Sequence, residues 1–285
     1  MKKPKLFIAC SLVLQIIIFS NLLSQDKPEE IFKKGDSLLL IYNYKEALNC
    51  FTEYINIIDN NPEAYLNRGA ANVNLGNYQD ALSDYTRAIE LEPENANAYS
   101  SRGALYVMTD DLIKAKEDLK MALRLNPEDV NAINSVAMVY VRQEKYANAF
   151  DELSKALFID SMYTEAYRNQ AGLYFHPNKF DEALESINKA VNIEPDFYKN
   201  YNTRGAIYFK KNDVDKALED YEKAISLNPN HGEGYIRRGI IYLEQEKYKE
   251  AVEDIEHGLE LSPNFKESAS IYLEEAKKKL EENIE

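Results

Sequence analysis

From Pro28 to Phe265 the sequence returns to one pattern every 34 residues, seven times, with no insertion or deletion. The repeats span 28–61, 62–95, 96–129, 130–163, 164–197, 198–231 and 232–265. Position 20 is always alanine: Ala47, Ala81, Ala115, Ala149, Ala183, Ala217 and Ala251. Position 8 is Gly35, Gly69, Gly103, Ala137, Ala171, Gly205 and Gly239. A position that refuses bulk in every copy marks a close crossing of two helices, where a larger side chain would cost ~1 to 3 kcal/mol of overpacking. Apolar residues recur at positions 4, 11, 17, 21, 24, 28 and 30, and this spacing belongs to helical faces, not strands. The second repeat shows it with Tyr65, Leu82, Tyr85, Ile89 and Leu91, and breaks it with Asn72 at position 11. Pro93, Pro127, Pro195, Pro229 and Pro263 close five repeats, since proline cannot continue the helix it follows. Each repeat therefore reads as helix, turn, helix, turn. A unit this short cannot bury its apolar face alone, so copies must stack, each large apolar side chain gaining ~1.5 to 3 kcal/mol on burial.

Segments such as AYLNRGAANVNLGNYQDALSDYTRAIELEPEN and YNTRGAIYFKKNDVDKALEDYEKAISLNPN resemble tetratricopeptide repeats, with Tyr for the family's Trp at position 4. The resemblance implies an all-α, right-handed superhelical solenoid of helix-turn-helix repeats. It covers 28–265 and says little about biochemical task. The first repeat departs most, with Tyr54 for the small residue at position 27 and Asp59 for proline at position 32. Pro177 is expected to end the first helix of the fifth repeat early. The segment 266–285 places Ala269, Tyr272, Leu273, Ala276, Leu280 and Ile284 on one stripe, the pattern of a C-terminal capping helix that closes the last apolar face.

Ahead of the repeats, residues 1–25 have a lysine-rich start and an apolar run from Leu6 to Phe19. This is the shape of a secretory signal peptide, with cleavage expected near Ser24 and Gln25. Ser11 and Gln15 interrupt the run, which falls short of the ~20 apolar residues of a spanning helix, so an uncleaved anchor is the alternative. The expectation is an exported chain, periplasmic, secreted or at the cell surface, with membrane attachment only if the segment is retained. Cys10 reads as part of the apolar run, leaving Cys50 alone and excluding an intrachain disulfide framework. Without residues 1–25, 31 basic residues face 48 acidic ones. So negative a surface repels phosphate backbones and anionic headgroups, which argues against nucleic acid as a partner.

Comparing the repeats with one another exposes a pair. Position 7 is Arg68, Arg102, Arg204 and Arg238 in the second, third, sixth and seventh copies. Position 23 in those same copies is Asp84, Asp118, Asp220 and Asp254, and the other three copies have neither residue. The co-occurrence predicts a structural contact between the two helices of a repeat, with two partly buried charges satisfied by a bidentate bond.

In the family the first helices line the concave wall, and the resemblance implies that positions 2, 5, 6, 9, 12 and 13 face a bound peptide. The residues so nominated for a peptide-binding groove are Asn67, Asn97, Asn131, Asn134, Met138, Arg142, Arg168, Asn169, Phe175, Asn202, Phe209 and Arg237. An amide both donates and accepts, so a ladder of them can grip a peptide backbone with little regard for its sequence. Charges at wall positions balance, but the basic ones gather in the fourth to seventh repeats, among them Arg142, Arg168, Lys199, Lys210 and Arg237. The Lys, Asn, Asn, Lys, Arg clamp with which some relatives hold chaperone tails does not occur in consecutive repeats, so that activity is not carried over. Specificity, if concentrated, is expected near Met138, Arg142, Arg168 and His176.

Nothing points to catalysis, a metal or a cofactor. His176, His231 and His257 fall at repeat positions 13, 34 and 26, and neither a metalloprotease helix motif, a nucleophile elbow nor a phosphate-cradling glycine loop occurs. The sequence therefore predicts a scaffold for a protein or extended peptide without a small-molecule substrate. An envelope assembly protein acting through its convex face is the alternative.

Overall fold

The computed structural model describes residues 27–175 and 178–283, so residues 1–26, His176, Pro177, Ile284 and Glu285 lie outside the described residues. Among the described residues all regular structure is helical. The first repeat holds α1 (residues 27–40) and α2 (Tyr44–Ile57), the second α3 (Pro62–Asn74) and α4 (Tyr78–Leu91), the third α5 (Ala96–Met108) and α6 (Leu112–Leu125). The fourth to seventh hold α7 (Val130–Arg142) and α8 (Tyr146–Ile159), α9 (Thr164–Phe175) and α10 (Phe180–Ile193), α11 (Tyr198–Lys210) and α12 (Val214–Leu227), and α13 (Glu233–Glu244) and α14 (Tyr248–Leu261). A 3-10 turn, Pro263–Phe265, leads into α15 (Lys266–Glu282). The described residues fall into two compact parts, one ending at Ala98 and one beginning at Tyr99.

Local chemistry sets the helix ends. Asn43, Asn61, Asp111 and Asp129 accept backbone N–H bonds in the first turn of α2, α3, α6 and α7, caps worth ~1 kcal/mol each. Every first helix ends on the same left-handed residue at position 15: Tyr42, Gly76, Asp110, Glu144, Asn178, Asn212 and Glu246, with φ between 59° and 79°. In the second repeat Gly76 N–H bonds to Val73 O at 3.1 Å and Asn77 N–H to Asn72 O at 2.9 Å, the doubled closure that turns the chain sharply into α4. Six of the seven copies make this turn without glycine; Tyr42, Glu144 and Glu246 bear ~1 to 2 kcal/mol of backbone strain there, and Asp110, Asn178 and Asn212 less.

The small residue at position 8 faces the large one at position 24 of its own repeat. A Cβ on Gly35, Gly69 or Gly205 would stand 2.8, 2.5 or 2.8 Å from the rings of Phe51, Tyr85 and Tyr221. In the seventh repeat backbones themselves meet, since a Cβ on Gly232 would lie 1.9 Å from the Gly258 carbonyl oxygen. In the first repeat Tyr54 fits because Phe32 makes room for it, with the rings 5.1 Å apart, and its hydroxyl accepts a 2.9 Å bond from Asn61 Nδ2.

At the far end α15 buries Ala269 and Ala276 and packs Leu273 against the Ile236 and Ile255 cluster. Tyr272 departs from its expected place on that stripe and is exposed: contact through two alanines brings α15 too close to α14 for a ring beside them. Among the described residues no helix is long and apolar enough to cross a membrane.

Candidate protein-binding wall

Four arginines tie first helices to second helices. Arg102 Nε and Nη2 donate to Asp118 at 2.7 and 2.9 Å, Arg204 to Asp220 at 2.9 and 2.7 Å, and Arg238 to Asp254 at 2.7 and 2.9 Å. Arg68 Nη2 reaches Asp84 Oδ1 at 2.6 Å. Each guanidinium also lies over the position-4 ring of its repeat, Tyr65, Tyr99, Tyr201 or Tyr235, at 5.3 to 5.9 Å. The hydrogen bond to aspartate raises the pKa of Arg102, Arg204 and Arg238. Asp220 is nevertheless pushed up, because burial outweighs the arginine beside it. These are structural ties in which Coulomb attraction and desolvation nearly cancel.

A second polar set links neighbouring first helices. Asn67 Nδ2 donates to Asp36 Oδ1 at 2.8 Å, joining α3 to α1. Asn169 Nδ2 donates to Asn134 Oδ1 at 2.7 Å, joining α9 to α7, and Asn202 Nδ2 reaches Glu233 Oε2 at 3.4 Å, joining α11 to α13. Between α9 and α11, Arg168 donates Nη1 to Asn200 Oδ1 at 3.2 Å, pairs with Glu165 at 2.9 Å and stacks on Phe197. Asn200 is wholly buried and donates to the Ala190 and Glu194 carbonyls. It occupies position 3, where the second to fifth repeats carry alanine. Lys199, the residue before it on α11, is half-buried over the Phe197 and Tyr198 rings, with no ion pair to a described carboxylate. Burial, and then repulsion from Arg168, lower its pKa.

Profiles of the tetratricopeptide repeat match residues 62–95, 198–231 and 232–265, and a second tetratricopeptide profile matches 84–117. Residues 62–117 and 198–265 belong to the tetratricopeptide-repeat family. No curated protein matches it. Among solved structures it is similar to a tetratricopeptide repeat protein from Parabacteroides merdae at 23% identity and a TM-score of 0.60, over 88% of this chain and 98% of that one. It is also similar to yeast Tom70 at 17% identity and a TM-score of 0.63, over 89% of this chain and 65% of that one. The Thermus thermophilus tetratricopeptide protein TTC0263 matches at 22% identity and a TM-score of 0.54, over 59% of this chain and 92% of that one. At these identities the likeness is one of fold.

Placed on the tetratricopeptide frame, the nominated groove residues separate into three groups. Asn97, Asn131, Arg142 and Arg237 are exposed on first helices. Asn131 accepts from the Tyr163 hydroxyl at 3.0 Å, and Arg237 lies 3.6 Å from Glu233. Asn134 and Asn202, in contrast, are buried, and Asn67 and Asn169 are bonded to neighbours, so the amide ladder joins helix to helix and is not open to a guest. Arg168 is corrected in the same way, its side chain only 12% exposed and its guanidinium engaged. Met138, Phe175 and Phe209 are half-buried at the edges of core clusters and do not stand out from the wall. His176 lies outside the described residues. Sequence reasoning missed Asn200, although its break with alanine at position 3 was a usable signal. It counted Lys199 among the wall charges without seeing that burial and Arg168 outweigh the attraction of Glu165 and Glu233 there.

Proposed function

We propose that this chain is an exported, non-catalytic scaffold that holds an extended peptide, or a segment of a partner protein, along the wall of α7, α9, α11 and α13. The observation that carries the reading is Lys199: a half-buried ammonium on a first helix, desolvated and repelled by Arg168, penalties that Glu165 and Glu233 offset only in part, and without an ion pair among the described residues. A carboxylate from a guest relieves both penalties at once, and charge-assisted bonds are the stronger kind. Exposed Asn131, Arg142 and Arg237 supply further polar contacts along the same helices. The tetratricopeptide fold supports protein binding as the general task, and residues 1–25 support export through the periplasm, to the surface or out of the cell. Absence of catalysis is supported by Cys50, whose thiol is buried and pushed up mainly by that burial, the reverse of a poised nucleophile.

A second reading, assembly through the second helices, is favoured by Phe158 and Met162, which are 92% and 60% exposed. They occupy positions 29 and 33, where the other six repeats carry only polar residues. Co-purification from the native source decides between the two. Lys199→Gln with Arg237→Glu should release the partner while Phe158→Ser with Met162→Ser retains it. Retention by the first pair and release by the second would replace the wall with the assembly face.

A further inference from the structure

Position 11 of the repeat is Leu38, Tyr106, Tyr140, Tyr174, Tyr208 and Tyr242 in six copies, but Asn72 in the second. In the third and sixth copies the tyrosine ring reaches position 19 of the following helix: Lys114 and Lys216 sit 5.3 Å from the centres of the Tyr106 and Tyr208 rings. Asn72 stops short of that place, and a cavity of about 370 Å³ opens between α2 and α4, floored by α3 and bordered by Asp80 at position 19. Clefts that take small ligands run from roughly 300 to 1,000 Å³.

Leu48 is the one apolar side chain in the lining. The floor is fixed, since Asn72 is buried, donates to Asp84 Oδ2 at 3.1 Å and accepts from Asn77 Nδ2 at 3.2 Å. Arg68 offsets the Asp84 charge through Nε and Nη2, and its Nη1 has no bond to a described residue. On the walls the Thr52 and Ser83 hydroxyls, the Asn49 amide and the Asp80 carboxylate are likewise without hydrogen-bond partners among the described residues. The lining thus holds both donors and acceptors around a space with no ring to stack a base and one apolar side chain, too little for a lipid tail. A hydroxyl gives and takes a bond at the same time, and a compact molecule with several of them satisfies such a lining without bringing a charge.

We propose that this cavity binds a small neutral polyol of monosaccharide or cyclitol size. The site lies wholly within the first two repeats and is independent of the first-helix wall. The test uses the ¹⁵N-labelled full-length chain titrated with myo-inositol and with methyl α-D-glucopyranoside. Saturable shifts are expected at the side-chain amides of Asn49, Asn72 and Asn77. Asn72→Tyr, which restores the residue of the later repeats, should abolish them. Thr52→Val with Ser83→Ala, which removes two hydroxyls without changing the backbone contacts, should weaken saturation roughly tenfold and keeps the test valid if the tyrosine variant does not fold. Silence with both polyols, or shifts unchanged in Asn72→Tyr, would overturn the assignment. A response to 1,4-diaminobutane alone would overturn it too, making the cavity a cation site built on Asp80.

Discussion

Replacing Arg102 with methionine leaves Asp118 behind as a carboxylate only 7% exposed, with both oxygens stripped of the 2.7 and 2.9 Å bonds that now satisfy them. Breaking a buried pair from one side costs about 3 to 5 kcal/mol, because the remaining charge has lost its partner and has no water. Replacing both members, Arg102→Met with Asp118→Leu, removes the desolvated charges together and should cost less than about 1 kcal/mol, or stabilise slightly. The double variant should therefore recover about 2 to 4 kcal/mol of what the Arg102→Met single loses, a clear departure from additivity. Urea denaturation measures the totals. Amide exchange in α5 and α6 shows where the loss falls, since each repeat touches only its neighbours. The single variant carries a further signature: its stranded carboxylate takes up a proton more readily than in the unfolded chain, so its deficit should shrink as pH falls toward 4. Equal losses in the single and double variants, or a deficit indifferent to pH, would refute the reasoning.

Turns, glycine crossings and the buried histidine give three more expectations. Glu246→Gly and Glu144→Gly should each raise stability by about 0.5 to 1 kcal/mol in thermal melts by relieving a left-handed φ, whereas Asn212→Gly should gain little, because asparagine already tolerates that conformation. Gly69→Ala should cost ~1 to 3 kcal/mol as the Tyr85 ring gives way, and Gly232→Ala more, because the atom in its path is the Gly258 carbonyl oxygen. His231 packs on Tyr198, its rings 4.8 Å apart, and burial first, then Lys199, lower its pKa from 6.5 to about 4. The unfolded chain therefore binds this proton first, and the histidine's contribution, present above pH 6.5, is lost as pH falls toward 4, reaching roughly 3 kcal/mol. His231→Phe should flatten that part of the stability–pH curve, and an unchanged slope would contradict the assignment.

Much of this could be read from the chain alone because it carries seven trials of one design. The small residues of position 8, with Phe51, Tyr85 and Tyr221 facing three of them, and the alanines of position 20 are packing constraints repeated at a fixed period, and repetition separates constraint from chance. The arginine and aspartate ties left a trace for the same reason, appearing and vanishing together. What escaped was everything decided by which way a side chain turns. Asn134 and Asn202 sit at positions a guest could reach from a first helix, yet their amides find partners one repeat away, and period alone does not distinguish the two fates. The left-handed residue at position 15 was invisible because only Gly76 advertises it, the other copies carrying Tyr42, Asp110, Glu144, Asn178, Asn212 and Glu246. Asn72 was visible as a break in the apolar pattern, but the cavity it leaves depends on the distance between α2 and α4.

A photoreactive amino acid placed in turn at Asn97, Asn131 and Arg237 on first helices, and at Glu185, Glu219 and Phe158 on the outward side of second helices, tests the role of the wall in the producing cell. Adducts of defined mass from the first set, suppressed when an excess of the unmodified chain is produced alongside before irradiation, are the predicted result. Adducts confined to the second set would contradict it.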